Sequence, residues 1–300
     1  MNRHQRTLVA LSATPADRAV VSYARLFASL GFARHYHFVH VRTPDAASES
    51  KKAADVLREC EALVAEVFGK PNDDVSSSCH VLTGERLDEL IEFITAQRCD
   101  MVLMGHRKES SGLGSLALRL VMIGPCSVLM IPEGAPVAIS EIMAPADFSD
   151  HSADSVQVAA CIAQAAQIPR CVVTHVFSDP AILRYEEHTA AIRRNEQAAF
   201  DRFIEPINSH GVEMVPYFLE GNNVAGTILY AAERYGSNLL VMNTRGRSRA
   251  ASILLGSVTS QVMTESPIAV LAVKHFGAMM NLFQALKESM FWTQPDLKTN

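Results

Sequence analysis

No C-x-x-C pair occurs among the six cysteines of this 300-residue chain, Cys60, Cys79, Cys99, Cys126, Cys161 and Cys171, which leaves no metal or redox spacing to read. Most of them stand in apolar strand or helix contexts where free thiols pack as small hydrophobes, and a reduced cytoplasm fits best. No two histidines have the H-x-x-x-H spacing with an acidic companion. His37 and His40, read as sharing one face of a strand, and His106 and His151, read as loop residues, are taken for satisfied or solvated side chains rather than metal ligands. There is no G-x-S-x-G elbow, and no lysine follows a glycine loop as in G-x-x-x-x-G-K-[ST], so catalytic turnover of ATP lacks its usual parts. A basic excess is missing too. The formal charge of −5 and the pI near 6.1 argue against capture of nucleic acid or anionic membrane. Arg119, Gly124 and Pro125 interrupt the richest apolar stretch, so no window reaches the ~18 apolar residues that span a bilayer. The N-terminal apolar run is about one strand long, shorter than the roughly 7–15-residue core of an export signal. The chain reads as soluble and cytoplasmic.

What the chain does contain is itself, twice. Gly114-Ser115 matches Gly256-Ser257 and Pro125 matches Pro267 at one offset of 142, while His40-Val41 matches His175-Val176 and Ser12 stands opposite Asp147 at an offset of 135. Gly84 lies opposite Gly221. Repeats of this size are whole domains, and 48% hydrophobic content over this length suffices for two cores. The expected division is 1–134, 139–274 and an extension, 275–300. In the first half, short apolar runs at 7–12, 35–41, 77–82, 100–105 and 127–132 alternate with helical patterns at 15–30, 46–68, 85–97 and 114–124. The second half repeats the order with strands at 141–146, 171–177, 212–219, 238–243 and 268–273, and helices at 150–167, 181–209, 223–235 and 256–265. Such alternation predicts an α/β class of two tandem doubly wound domains, each a parallel five-stranded sheet flanked by helices. Helix 181–209, rich in Arg and Glu, reads as a solvated outer helix. Within 275–300, Met279, Leu282, Phe283, Leu286, Met290 and Phe291 would form one apolar face on a helix.

In open α/β sheets, ligands bind beyond the carboxyl ends of the strands. In the second half Asp147, Val176 and Asn243 stand at such ends, and a loop with Arg245, Gly246, Arg247 and Arg249 leads from Asn243 to Gly256-Ser257. An aspartate there can accept hydrogen bonds from ribose hydroxyls or from its own loop backbone. Gly246 and the first turn of helix 256–265 offer backbone N–H groups to phosphate.

The stretch N-T-R-G-(nine residues)-G-S-V resembles the universal stress protein signature G-x-x-G-(nine residues)-G-[ST], and the strand-end His-Val pairs resemble that family as well. The likeness covers nearly all of both halves. It implies five strands per domain in the order 3-2-1-4-5, and ATP, with or without magnesium, as the ligand. Phosphate contacts are implied at Gly246, Gly256, Ser257 and Val258, and ribose or adenine contacts near Asp147 and Val176; Ala146, Met242, Asn243 and Arg247 complete the set of candidates. Asn243 replaces the first glycine of the motif, and asparagine tolerates left-handed backbone angles best among the other residues. The first half departs further, because Ser12 replaces the aspartate and its glycine loop is four residues shorter; it reads as a structural or regulatory pseudo-site, although Gly105, Gly112, Gly114 and Ser115 could still hold a smaller anion. The expected protein is a stress-response sensor or regulator with little or no enzymatic activity, acting through a homodimer, an intramolecular pseudo-dimer or an unidentified protein partner. The rival readings are a nucleotide-free interaction module using the C-terminal helix, and a slow ATP-hydrolysing enzyme.

Overall fold

The computed structural model describes residues 6–43, 52–70, 72–106, 116–179, 186–244 and 255–274. In chain order the first repeat contains β1 (Arg6–Leu11), α1 (Asp17–Ser29), β2 (His35–Arg42), α2 (Ala53–Leu63) with a π-helical turn at Val64–Phe68, β3 (Ser76–Thr83), α3 (Arg86–Gln97), β4 (Met101–His106), α4 (Leu116–Ile123) and β5 (Ser127–Pro132). The second contains β6 (Ile142–Pro145), α5 (Asp150–Ala165), β7 (Arg170–Phe177), α6 (Glu186–Ile204), β8 (Glu213–Glu220), α7 (Val224–Tyr235), β9 (Leu239–Asn243), α8 (Ser257–Glu265) and β10 (Ala269–Val273). The expected C-terminal helix lies outside the described residues.

Two compact units divide the chain at Gly105/His106. In the first, the strands run β3-β2-β1-β4, all parallel. In the second they run β5-β10-β9-β6-β7-β8, so the second repeat has the order 3-2-1-4-5; the first repeat follows the same order, with β5 counted in the second unit. Every pairing in the second unit is parallel except β5 with β10, where Leu129 stands opposite Leu271. That antiparallel pairing covers the edge that β10 would otherwise expose. β5, β6, β9 and β10 are buried along their whole length, as parallel strands covered on both faces require, and this is why they read as continuous apolar runs.

Local chemistry fixes the ends of the elements. α5 starts with a capping box in which the Ser149 hydroxyl accepts from Ser152 N and the Ser152 hydroxyl accepts from Ser149 N. α7 starts at Asn223, whose side chain accepts from Gly226 N at 3.1 Å, and ends on Gly236 at φ +66°. Lys274, just past β10, points its ammonium at the Val121, Met122 and Gly124 carbonyls at the C-terminal end of α4, where a cation offsets the helix dipole. α6 is a solvated helix, with Phe200 alone buried among its residues.

Two expectations about histidines need correction. His37 and His40 are three positions apart on β2, and the two-residue period of a strand puts them on opposite faces. His106 ends β4, and His151 stands in the first turn of α5, so neither is a loop residue.

Candidate functional site

β6 pairs with β7 on one side and with β9 on the other, which makes the β6/β9 boundary the switch point of the second sheet. The chain leaves β6 through Ala146, Asp147 and Phe148. Ala146 is buried; its N–H donates to Thr174 O at 2.8 Å, and its carbonyl accepts from His175 Nδ1 at 2.7 Å. Phe148 takes a left-handed backbone at φ +59° and stacks on the His175 ring with centroids 4.1 Å apart. Such a φ is unusual for a bulky residue, and here stacking and the His175 bond hold the turn. Phe203 and Phe200 extend the aromatic cluster around Phe148. Glu196 of α6 sits 3.6 Å from His175 Nε2. The sequence offered no reason to single out Phe148 or His175 as loop holders, although the repeat contained the signal: His40 Nδ1 bonds Leu11 O at 3.0 Å in the first repeat, 135 residues earlier on both partners, and Ala13 there is left-handed at φ +57°.

Asp147 is half-exposed, and its Oδ1 accepts from Ser149 N at 3.1 Å and Ser149 Oγ at 2.5 Å. The carboxylate therefore organises the turn into α5 by the local bonding weighed above. Val176 is the penultimate residue of β7, and Met242 is buried beside Asn243 at the end of β9. Asn243 does not take the left-handed angles anticipated for it. It is an ordinary strand residue paired with Val273, because β9 runs through it and the turn begins only at Thr244. Its side-chain Nδ2 donates to the His151 carbonyl, and its own carbonyl accepts from Thr259 Oγ1 at 2.8 Å.

Gly256 is the N-cap of α8, with φ −68° and ψ 143° and no side-chain cap; its N–H donates to Thr244 O at 2.8 Å. Ser257 and Val258 form the start of the first turn, the former exposed. The Asn243 bonds thus join α5, which opens after the Asp147 loop, to α8, which opens at Gly256. Gly246 and Arg247, with Arg245 and Arg249, lie outside the described residues, as do Gly112, Gly114 and Ser115 of the first repeat.

In the first repeat the carboxylate has moved. Asp17, at the position of Ser152, is 3% exposed and accepts from Ser12 N at 2.9 and 3.1 Å, Ser12 Oγ at 2.7 Å and Thr14 N at 3.2 Å. The donors around Ser12 are thus turned onto an internal anion.

Other chemistry is sparse. Ser78 Oγ lies between His37 Nδ1 at 2.9 Å and His80 Nε2 at 2.8 Å, with Phe93 against both rings. Burial first, then repulsion from His80, Arg6 and His35, brings His37 down to about 4. Burial pushes the Cys60 and Cys79 thiols up to about 11, and Cys99 and Cys171 up to about 12, so none of these offers a thiolate near neutrality. Among the described residues no cluster of three or more His, Cys, Asp or Glu could hold a metal, and no helix is long and apolar enough to cross a membrane.

Comparison with known proteins fits this geometry. A universal stress protein of Thermus aquaticus, from the QAH/OAS sulfhydrylase 3′ region, is 33% identical over 129 residues, covering 43% of this chain and 93% of that protein. The crystal structure of a universal stress protein from Archaeoglobus fulgidus superposes with a TM-score of 0.64 at 17% identity, covering 90% of this chain and 96% of its own. A functionally unknown protein from Pseudomonas aeruginosa gives 0.63 at 16% identity, covering 96% and 98%. The model of the universal stress protein family matches twice, over residues 4–132 and 139–274. With two matches that span nearly the whole length and the same sheet order in each repeat, the chain belongs to the universal stress protein family as a tandem of two family domains.

Proposed function

We propose that the second repeat binds an adenine nucleotide, ATP with or without magnesium, and that occupancy biases dimer or partner contacts in a stress response within the cytoplasm. The observation that supports this most directly is the meeting of two helix starts at the β6/β9 switch point: α5 after the Asp147 loop, and α8 at Gly256 with no side chain capping it. Backbone N–H groups of Ser257 and Val258, at the positive end of the α8 dipole, suit a phosphate. Asp147 brings a half-exposed carboxylate that can take ribose hydroxyls. Ala146, Val176 and Met242 supply apolar wall; Gly246 is a phosphate contact by family resemblance, and Arg247 is a further candidate by its charge. The domain limits that go with this reading are 1–134 and 139–274, followed by the extension 275–300.

In this proposal the nucleotide acts by linkage, stabilising whichever conformation binds it better. The test is thermal unfolding with and without ATP and magnesium. Ligand at ~100 times its dissociation constant adds about 2.7 kcal/mol to the folded state, so an adenine-specific rise in unfolding temperature is expected. No rise at millimolar nucleotide would leave the nucleotide-free interaction module, and steady product release would point to a slow hydrolase.

A further inference from the structure

We infer that Asn243 is a positioning residue that braces the crevice by tying its two helix starts together, and that it suits this chain better than the glycine of the family motif. The ligand readout of this inference rests on the nucleotide reading above. Asn243 is the last residue of β9 and 6% exposed. Its carbonyl holds Thr259 in the first turn of α8, and its amide holds the His151 carbonyl in the first turn of α5. One residue thus connects the phosphate-side helix to the helix behind the Asp147 loop. Glycine at this place would keep the Thr259 bond, which uses the backbone, and lose the bond to His151.

The first repeat provides a control within the same chain. Gly105 stands at the matching place, and a Cβ there would come within 3.3 Å of Val20 Cγ2. The residue matching Val20 in the second repeat is Ser155, smaller and fully buried. Glycine goes with valine in one repeat and asparagine with serine in the other, the pairing expected where a side chain at the strand end has been accommodated. A side chain that merely crowded the crevice would not be buried and bonded to the first turn of α5. Groups of a site held by such bonds are kept close to productive geometry before any ligand arrives.

The experiment compares full-length Asn243→Gly and Asn243→Ala with the unaltered chain, by titration with ATP and magnesium and by amide exchange without nucleotide. Both variants are expected to bind about tenfold more weakly, the worth of one good hydrogen bond. Exchange should quicken in the first turn of α5, which loses its bond, while α7 and β8 stay protected. Equal or tighter binding by Asn243→Gly, with exchange unchanged, overturns the brace. If the unaltered chain itself binds no ATP, the nucleotide reading fails by itself. Exchange then decides the brace alone, with lost protection at α5 supporting it and unchanged protection overturning it.

Discussion

Asp17 and Asp147 close equivalent loops from opposite ends, one from the helix and one from the strand. Ser12 was legible as a missing carboxylate, but not the fact that an anion five residues on had taken over its loop, because repeat offsets compare positions and not the bonds that reach them. Asp17→Asn keeps the size and replaces one acceptor oxygen with a donor facing Ser12 N and Thr14 N. It should cost about 2 kcal/mol, the price of a buried donor left without its acceptor, as read by chemical denaturation. His37 gives a prediction in pH. Its folded-state value of about 4 lies below the ordinary 6.5, so the unfolded chain takes up a proton that the folded chain refuses as pH falls between those values. Stability therefore declines across that window and is not lowered further by this group below it. His80, also held down by burial, acts in the same sense. His37→Gln should flatten the fall of unfolding temperature measured between neutral pH and about 4.

Strands and helices were the legible part of the chain. Runs such as SVLMIP and NLLVMN are apolar on both faces and short, and in alternation with amphipathic segments they leave little choice but parallel β-α units. The turns between them were not legible. Ala13 and Phe148 both adopt positive φ, although neither belongs to the residue types that do so readily; tertiary bonds from His40 and His175 impose the conformation. At Asn243 the reverse holds: the left-handed tolerance of asparagine goes unused, because the residue stands within β9. At α5, Ser149 serves two partners at once, capping the helix and donating to Asp147. Ser149→Ala should lower stability by about 1 kcal/mol through the lost cap and weaken ATP binding as well, measured by unfolding and titration on the same sample. An exposed α6 position such as Arg193 should change neither.

For the molecule as a whole, duplication has produced two copies with unequal prospects. The first repeat turns its strand-end donors onto Asp17, whereas the second leaves Asp147 half-exposed and starts α8 without a side-chain cap. Titration should accordingly find one ATP bound per chain. Asp147→Ala should abolish that binding and Ser12→Ala should leave it untouched; a stoichiometry of two would contradict the inequality of the repeats. The tandem arrangement was readable from paired landmarks, and an intramolecular pseudo-dimer was among the expectations, but the antiparallel pairing of β5 with β10 was not legible, since no residue pattern names an edge strand's partner. Lys274 carries a mechanical consequence. It follows β10 directly, and its ammonium grips three carbonyls at the end of α4. A displacement of β10 is therefore carried through this grip to a helix of the opposite repeat.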